Sequence, residues 1–350
     1  MQFSFSDDQL ALRDQMRAFA QKECPPSEVR DAWSSELGWS EERWSALAEM
    51  GVVGLTVPEV QGGLGLGQVE LVLLLEEAGR ACMPEPLIET IAVGGPLLSD
   101  CDGARAEELR DGWLADVARG EAIVAVGLAR APGVAAAHGA QLIVLEHGTG
   151  DGSELHVVEA SQVEVRTRHS LDGTRRLSVI EWEPSRSSLV ASGAQSESLV
   201  ATSLDRASTA AAAMLLGVAE HMISMASQYA LERTQFGKPI GSYQAVKHLL
   251  ANALVRVEFA RPLVYRAAWS LDAHDEGASL HASMAKAQAS EAALTAARVA
   301  LQVHGAIGYT WEHDLQLWMK RAWALASAWG DAGHHRARVL EALAPDGTGA

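Results

Sequence analysis

Two short blocks of this 350-residue chain carry side chains suited to a phosphorylated ligand. In the first block, Arg233 comes at the end of a long helical pattern and Phe236 follows it. The planar guanidinium, with its several N–H donors, suits a diphosphate, and the phenyl ring offers a flat surface beside it. In the second block, Gln302 precedes Gly305, where a glycine lets the backbone approach a ligand edge closely. Alternatively, the first block could merely cap a helix and pair with an acidic neighbour.

The charge and the cysteines exclude several kinds of partner. The chain has 28 Lys and Arg against 45 Asp and Glu, a formal charge of -17. It contains no basic run that could follow a phosphate backbone or an anionic membrane surface, so nucleic acid is not a predicted partner. The three cysteines, Cys24, Cys82 and Cys101, lack the CxxC spacing of a metal or redox site. We interpret them as buried thiols in a reducing compartment and predict no metal.

The N-terminal segment and the hydropathy predict a cytoplasmic protein without a membrane span. Asp7 and Asp8 stand where a signal peptide would carry basic residues, and the apolar residues that follow have helical spacing. No apolar stretch reaches the roughly 20 residues needed to cross a bilayer without intervening charges. We therefore expect no export.

The elements that position the two blocks follow from two changes in hydrophobic pattern. From residue 1 to about 120, apolar residues recur every three or four positions, which predicts helices. Between about 122 and 195, short runs rich in Val and Ile alternate at period two, which predicts strands. The turn residues that separate two of these runs are Gly148, Gly150, Asp151 and Gly152.

From about residue 200 onward the helical period returns. Its clearest stretch contains Val246, Leu249, Leu250, Ala253, Leu254 and Val257. We predict a mostly α-helical fold with a small β domain: an N-terminal helical domain at 1–120, a β domain at 121–197 and a C-terminal four-helix bundle at 198–350. This order argues against a doubly wound nucleotide fold, which alternates strands and helices from the start.

Both blocks resemble the signatures of one enzyme family, the acyl-CoA dehydrogenases. The first block, Tyr229-Ala-Leu-Glu-Arg-Thr-Gln-Phe-Gly-Lys-Pro-Ile240, is followed by a glutamine on the next helix, Gln244. The second, Leu301-Gln-Val-His-Gly-Ala-Ile-Gly-Tyr-Thr310, is similar to the glutamine-glycine turn of that family and lies at the expected distance downstream. N-terminal stretches are similar to the family too, so the likeness spans the chain and weakens only in the β domain.

The resemblance implies FAD as cofactor, an acyl-CoA as substrate and electron-transfer flavoprotein as acceptor. In the family each flavin lies at a subunit interface, and these two blocks hold the ADP half of the partner subunit's FAD. The residues thereby implied to bind FAD are Arg233, Gln235, Phe236, Gln302 and Gly305. The position after Gly305, usually a second glycine in the family, is Ala306. Its methyl group should leave the cofactor less space to approach the backbone.

The resemblance fails where the family carries its catalytic base. The family removes the α-proton of an acyl-CoA with a carboxylate while hydride passes to the flavin. The usual glutamate follows an arginine matching Arg321, and its position falls on Gly330; a second position used in the family falls at about Ala207. Asp331 and Asp205 are the nearest acids, but one residue of displacement turns a side chain by about 100° on a helix. We interpret both as solvated or capping residues, so no catalytic residue is assigned.

The β domain shows a second departure. The family usually covers the flavin ring with hydroxyl-bearing residues from a Thr-Glu-Pro-x-x-Gly-Ser-Asp-like stretch, where this chain reads Gly127 to Ala135, and its β domain is longer. The part that holds ADP is recognisable, whereas the part that holds the ring is not.

This combination resembles the catalytically incomplete subunits of heterotetrameric acyl-CoA dehydrogenases that act on steroid side chains. Ser170–Leu177 and Tyr309–Asp314 are similar to segments of that subgroup. Glu312, His313 and Asp314 could by themselves form a metal or acid–base cluster, but the resemblance favours a helix entry with Asp314 as N-cap. We interpret His304, His334 and His335 as packing or surface residues.

Three functions stay open at this point. The preferred one is a subunit of an α2β2 FAD-dependent acyl-CoA dehydrogenase whose homologous partner brings the glutamate. The second is a self-sufficient homotetramer that uses Asp331 or Asp205 as base. The third is a flavin-free scaffold that stabilises a related subunit.

Overall fold

The helices account for most of the chain. A computed structural model describes residues 4–128, 133–149 and 152–344. The α-helices within these residues are α1 (Asp7–Glu23), α2 (Pro26–Ser34), α3 (Glu41–Glu49), α4 (Gln68–Arg80), α5 (Gly95–Asp100), α6 (Ala104–Leu109), α7 (Ala115–Ala118), α8 (Gly193–Glu232), α9 (Gln244–Asp272), α10 (Ala278–His304), α11 (Leu315–Ser327) and α12 (Ala332–Leu343). Two π-helical segments, Ile88–Gly94 and Arg110–Leu114, lie next to α5 and α7.

The strands cluster in the middle of the sequence. They are β1 (Val124–Gly127), β2 (Val134–Ala135), β3 (Leu142–Thr149), β4 (Gly152–Glu159), β5 (Glu164–Arg168), β6 (Leu177–Glu181), β7 (Leu189–Ser192), β8 (Thr234–Gln235) and β9 (Lys238–Pro239). One sheet has the order β1-β3-β4-β7 and a second has β2-β6-β5, while β8 and β9 form a separate hairpin. β1 and β3 pair in parallel, and the remaining described pairs are antiparallel.

The predicted fold class is confirmed: helices, then strands, then helices. Strands β1, β3, β4, β5 and β6 overlap the predicted runs AIVAVGL, QLIVLEH, ELHVV, VEVRTRH and LSVIEW, respectively. The strands β2 and β7 were not predicted. Pairing extends further than expected along β3 and β4, where Thr149 pairs with Gly152, so Gly148 and Gly152 belong to strands. Gly150 and Asp151, also predicted as turn residues, lie outside the described residues.

The chain divides into two compact units. The terminal unit comprises Met1–Val29, Val72–Met83 and Ala211–Ala350, and the middle unit comprises Arg30–Leu71 and Pro84–Ala210. Helix α8 contributes residues to both. The three-domain division at residues 120 and 197 therefore stays a prediction.

The terminal unit is built around α10, which packs along α9. The buried face of α10 consists largely of alanines, the residue with the highest helix propensity. These alanines are Ala282, Ala285, Ala289, Ala292, Ala293, Ala296, Ala297 and Ala300. Their small side chains let a neighbouring helix approach closely. Lys286 lies among them and is fully buried.

An ion-pair cluster joins α4, α8 and α9 in the terminal unit. Arg261 of α9 pairs with Glu76 of α4 and, at 2.8 Å, with Glu220 of α8. Arg80 also pairs with Glu220 and lies 3.2 Å from Glu77. Because half-buried or buried charges need partners, these pairs fix the three helices in register.

Helix α8 is long and apolar enough to cross a membrane by length and composition. However, 78% of its most apolar window is buried inside the protein. Burial in a protein core is by itself sufficient to account for that apolar sequence.

Candidate functional site

The first block forms a tight hairpin after α8. Strands β8 and β9 leave Phe236 and Gly237 between them, with φ angles of 51° and 79°. Two positive φ values match the two-residue hairpin turn whose twist fits its strands. Phe236 is an unusual residue for this conformation, and it is 91% exposed. The hairpin therefore holds a large aromatic ring in solvent.

Arg233 begins this hairpin and has no acidic partner among the described residues. Its side chain is exposed and makes no ion pair or hydrogen bond with the described part of the chain. Its backbone N–H donates to Tyr229 O at 2.8 Å. In a chain with a formal charge of -17, this guanidinium is available to an external anion. The alternative role of pairing with an acidic neighbour is not what the structure shows.

The second block forms the end of α10. Gln302 is exposed on the last turn, and Gly305 ends the helix with φ 67° and ψ -141°. A Cβ atom at Gly305 would meet nothing within 4 Å, so the backbone borders open space. Ala306 is exposed beside it, at the start of a 3₁₀ turn.

The structure brings the two blocks together. Tyr229, four residues before Arg233, stacks on His304, which directly precedes Gly305; their ring centroids are 4.6 Å apart. The residues at this place, here called the motif end, are Arg233, Gln235, Phe236, Gln302 and Gly305. An unpaired guanidinium, an exposed ring and an open glycine turn fit the diphosphate and adenosine of a dinucleotide. The role of each residue in binding FAD stays a prediction.

The segment after the motif end, residues 312–314, forms the entry to α11. His313 Nδ1 accepts the backbone N–H of Leu315 at 3.1 Å, at the start of α11. Asp314 is the N-cap residue, but its side chain makes no capping hydrogen bond. The predicted helix entry is therefore present, with the cap supplied by His313. Among residues 4–128, 133–149 and 152–344, no group of three or more His, Cys, Asp or Glu could hold a metal.

The turn between α11 and α12, here called the closed turn (Ala328–Asp331), contains the position expected for the family's glutamate. Trp329 and Gly330 have φ angles of 59° and 98°. A Cβ atom at Gly330 would lie 2.5 Å from His334 Cδ2 and 2.9 Å from His335 Nε2. A side chain at this position would thus require both the backbone and the histidines to move.

Two buried side chains hold the closed turn. The Nζ of Lys286 donates to Gly330 O at 2.8 Å and to Ala326 O at 3.1 Å. Ala326 belongs to the last turn of α11, whose carbonyls lack helical partners, so the cation also stabilises that helix end. His335 Nε2 donates to Trp329 O at 3.0 Å, and its Nδ1 accepts from Ser283 Oγ at 3.3 Å.

Sequence reasoning missed Lys286 and described His335 only as a packing or surface residue. Burial, together with the charge of the neighbouring Lys286, lowers the pKa of His335 to about 3. A lone lysine within the alanine-rich stretch of α10 was the available signal, because a charge amid core-facing residues has to find polar partners.

The two candidate aspartates lie in different environments. Asp331 is exposed and caps α12 by accepting the N–H of His334 at 2.8 Å, which also lowers the pKa of this carboxyl. Asp205 is only 3% exposed, on the part of α8 in the middle unit, and Ala207 is fully buried. The capping interpretation of Asp331 is therefore what the structure shows. For Asp205 the interpretation as a solvated or capping residue is wrong, because this residue is buried in the interior of a long helix.

The segment Ser170–Leu177 packs within the middle unit. Asp172 accepts from the N–H and the hydroxyl of Thr174, at 3.0 and 2.7 Å. Arg175 pairs at 2.7 Å with Glu89 on the buried π-helical segment. Its polar residues stabilise the unit. Of the stretch Gly127–Ala135, where flavin-ring contacts were expected to be missing, residues 129–132 lie outside the described residues.

Helix α9 exposes several large apolar side chains. Leu249 and Leu254, which belong to its helical period, are 39% and 42% exposed, whereas Ala253 and Val257 are buried. Phe259 is 70% exposed. The period is helical, as predicted, but part of the apolar surface of α9 is uncovered in the single chain.

Two family models together match most of the chain. The acyl-CoA dehydrogenase N-terminal domain matches residues 6–121, and the acyl-CoA dehydrogenase C-terminal domain matches residues 198–344. Acyl-CoA dehydrogenase IpdE2 of Mycobacterium tuberculosis is 32% identical over 324 residues, which cover 90% of this chain and 91% of the relative. The chain belongs to the acyl-CoA dehydrogenase family. Acyl-CoA dehydrogenase FadE34 of the same organism is 33% identical over 95% of this chain, but only 48% of that longer relative is covered.

Solved structures of the acyl-CoA dehydrogenase fold match nearly the whole chain. The ChsE4-ChsE5 complex from Mycobacterium tuberculosis has a TM-score of 0.87 at 23% identity, with 98% of this chain and 99% of that chain covered. The Tcur3481-Tcur3483 steroid ACAD G363A variant has a TM-score of 0.86 at 24% identity, with 97% and 98% covered. Homologues in the family are FAD-binding flavoproteins, as the structure of PigA with FAD and proline illustrates, so the predicted cofactor is confirmed for the family.

Proposed function

We propose that this chain is the subunit without a catalytic base in an α2β2 FAD-dependent acyl-CoA dehydrogenase. Its substrate class is a bulky, steroid-type acyl-CoA. Support for the assembly comes from the ChsE4-ChsE5 complex, and support for the substrate class from the steroid ACAD structure.

The observation that carries the proposal is the combination of a ligand-ready motif end with a closed turn. Arg233 has no partner within the described residues, and Phe236 is exposed in a strained conformation. At the position expected for the base, Gly330 has no room for a side chain. A chain built in this way can bind a cofactor but needs its proton acceptor from elsewhere.

The residues of this chain have defined roles in the proposal. Arg233 donates charge-assisted hydrogen bonds to the diphosphate of the flavin. Phe236 covers the cofactor beside it, and Gly305 lets the backbone come close. FAD, when bound, would supply the hydride acceptor for oxidation of the thioester between its α- and β-carbons. The partner subunit supplies the carboxylate that removes the α-proton.

Co-purification tests the assembly. The chain expressed alone should be poorly soluble or colourless, and co-expression with an adjacent homologous dehydrogenase that keeps the glutamate should give a yellow, active complex. A soluble, yellow and active homotetramer would favour the self-sufficient enzyme. If the complex kept its full flavin content after Arg233→Ala, the chain would be a scaffold.

The proposal also includes a location and an electron acceptor. We place the complex in the cytoplasm and assign an electron-transfer flavoprotein as its oxidant. The fold of this chain matches a chain in the solved structure of the electron transferring flavoprotein of Acidaminococcus fermentans. This match supports an electron-transfer flavoprotein as the class of acceptor, without identifying a particular protein. Reoxidation of the reduced complex by a purified electron-transfer flavoprotein would test the acceptor.

A further inference from the structure

The two blocks of the motif end are joined by stacked rings. The rings of Tyr229 on α8 and His304 on α10 are inclined by only 28° and have centroids 4.6 Å apart. Tyr229 lies one helical turn before Arg233, and His304 lies directly before Gly305. The stack therefore fixes the end of one helix against the end of the other.

His304 is itself held in place. Its Nδ1 lies 2.8 Å from Ala300 O; because a carbonyl only accepts, Nδ1 carries the proton. The edge of the His313 ring lies against it, with centroids 4.6 Å apart and planes at 66°. Only 5% of His304 is exposed, and burial lowers its pKa. The imidazole is thus a neutral, fixed ring rather than a ligand-binding group.

Neither ring belongs to the residues expected to contact the cofactor. Arg233 starts the hairpin that follows α8, whereas Gly305 starts the turn that follows α10. A dinucleotide that contacts both must find them at a fixed separation, because a displacement of about 1 Å weakens directional hydrogen bonds. The stack sets that separation.

We infer that Tyr229 and His304 are positioning residues for the ADP half of a dinucleotide, acting through Arg233 and Gly305. This inference rests on the proposed function. A stacked aromatic pair contributes about 0.5 to 1.5 kcal/mol beyond its burial, which corresponds to a change in affinity of about twofold to tenfold.

The test is FAD affinity, measured by flavin fluorescence as FAD is titrated into the deflavinated full-length protein in its purified assembly. Tyr229→Ala and His304→Ala should each weaken binding about threefold to tenfold. The double variant should bind FAD only slightly less tightly than the single variant with the lower affinity, because both substitutions remove the same stack. Tyr229→Phe keeps the ring and should restore binding to within about twofold.

Four outcomes separate the possibilities. If the folded fraction of Tyr229→Ala and of His304→Ala binds FAD with unchanged affinity and shows only a lower melting temperature, the inference is overturned. It is also overturned if the two losses of affinity multiply fully in the double variant. Arg233→Ala is the control for the proposed function. If Arg233→Ala leaves FAD affinity unchanged, the assigned binding site fails; if it weakens binding while His304→Ala does not, only the positioning role fails.

Discussion

The motif end and the closed turn differ in whether their polar groups have partners within the chain. At the motif end, Arg233 is unpaired within the described residues, and Gly305 borders open space. At the closed turn, Lys286 and His335 hold the carbonyls of Gly330 and Trp329. Under the proposed function, cofactor binding and proton abstraction are separated between two chains: this chain keeps a surface open to a ligand, and a packed turn occupies the position expected for the base.

Lys286→Met should cause the largest loss of stability. Methionine keeps the length of the side chain but leaves the carbonyls of Ala326 and Gly330 without their cationic donor. We expect a loss of about 2 to 4 kcal/mol in the free energy of unfolding, measured by urea denaturation. Lys247→Met, on an exposed position of α9, is the matched control and should change stability by less than about 0.5 kcal/mol. Equal stabilities would mean that the cation does not hold the closed turn.

Gly330→Glu should not create a base. The new side chain meets His334 and His335 and forces a positive φ on a residue with a Cβ, so we expect a loss of about 1 to 3 kcal/mol in stability. Stopped-flow reduction of the flavin by an acyl-CoA should not become faster in the assembled complex. Gly333→Ala, at an exposed position without positive φ, is the control for replacing a glycine of this region and should change stability little. A gain in reduction rate of about tenfold or more would show that the turn opens.

Arg233→Ala should weaken FAD retention by roughly tenfold or more. It removes a charge-assisted contact worth about 1.5 to 3 kcal/mol, and folding should survive because the side chain has no partner among the described residues. The ratio of flavin to protein absorbance after gel filtration measures the effect. Arg256→Ala, an exposed arginine of α9, should retain its flavin. If both variants retained all of their flavin, ligand binding would not distinguish the motif end from the closed turn.

His335 should make stability depend on acid. Burial lowers its pKa to about 3, whereas an unfolded histidine titrates near about 6.5, so the unfolded chain binds the proton more tightly. Its contribution is complete above about pH 6.5 and is lost as the pH falls toward 3. His335→Gln should therefore flatten the decline in unfolding free energy between about pH 6.5 and 4. An identical slope in the variant would assign the acid sensitivity to other groups.

Asp331→Asn should have the smallest effect. Asparagine and aspartate are equally good N-caps, so helix α12 should be kept, while Asp331→Ala should cost about 1 kcal/mol. The assembled complex should retain most of its flavin-reduction rate in both variants. A loss of at least about 10²-fold in Asp331→Asn would identify this carboxylate as the base and remove the need for a partner's glutamate.

Local pattern predicted the elements well, and failed for physical reasons. The strands that lie in runs rich in Val and Ile were found. By contrast, β2 has only two residues, too few for a period to appear, and β7 contains one Val and no Ile. Helical periodicity marked Leu249 and Leu254 as apolar-face residues but could not distinguish a core from a surface that another chain covers. Periodicity reports helix geometry, and burial depends on neighbours the pattern does not contain.

The candidate site was predictable only in part. Arg233 and Gly305 were identifiable from their types and from the resemblance, and the structure places their blocks together. The absence of a glutamate at Gly330 was visible in the sequence, but its replacement by a rigid turn was not. The partners of Lys286 are main-chain carbonyls, which every residue carries, so no side-chain pattern could indicate them.

The uncovered surface of α9 has a consequence for how the protein must be produced. Leu254, Val255 and Phe259 are between 42% and 70% exposed in the single chain. Copies synthesised without a partner would display this surface and would aggregate or be degraded. Under the proposed assembly, the supply of the second subunit sets how much of this polypeptide survives. Balanced translation of the reading frames of the two subunits thus becomes a condition of activity.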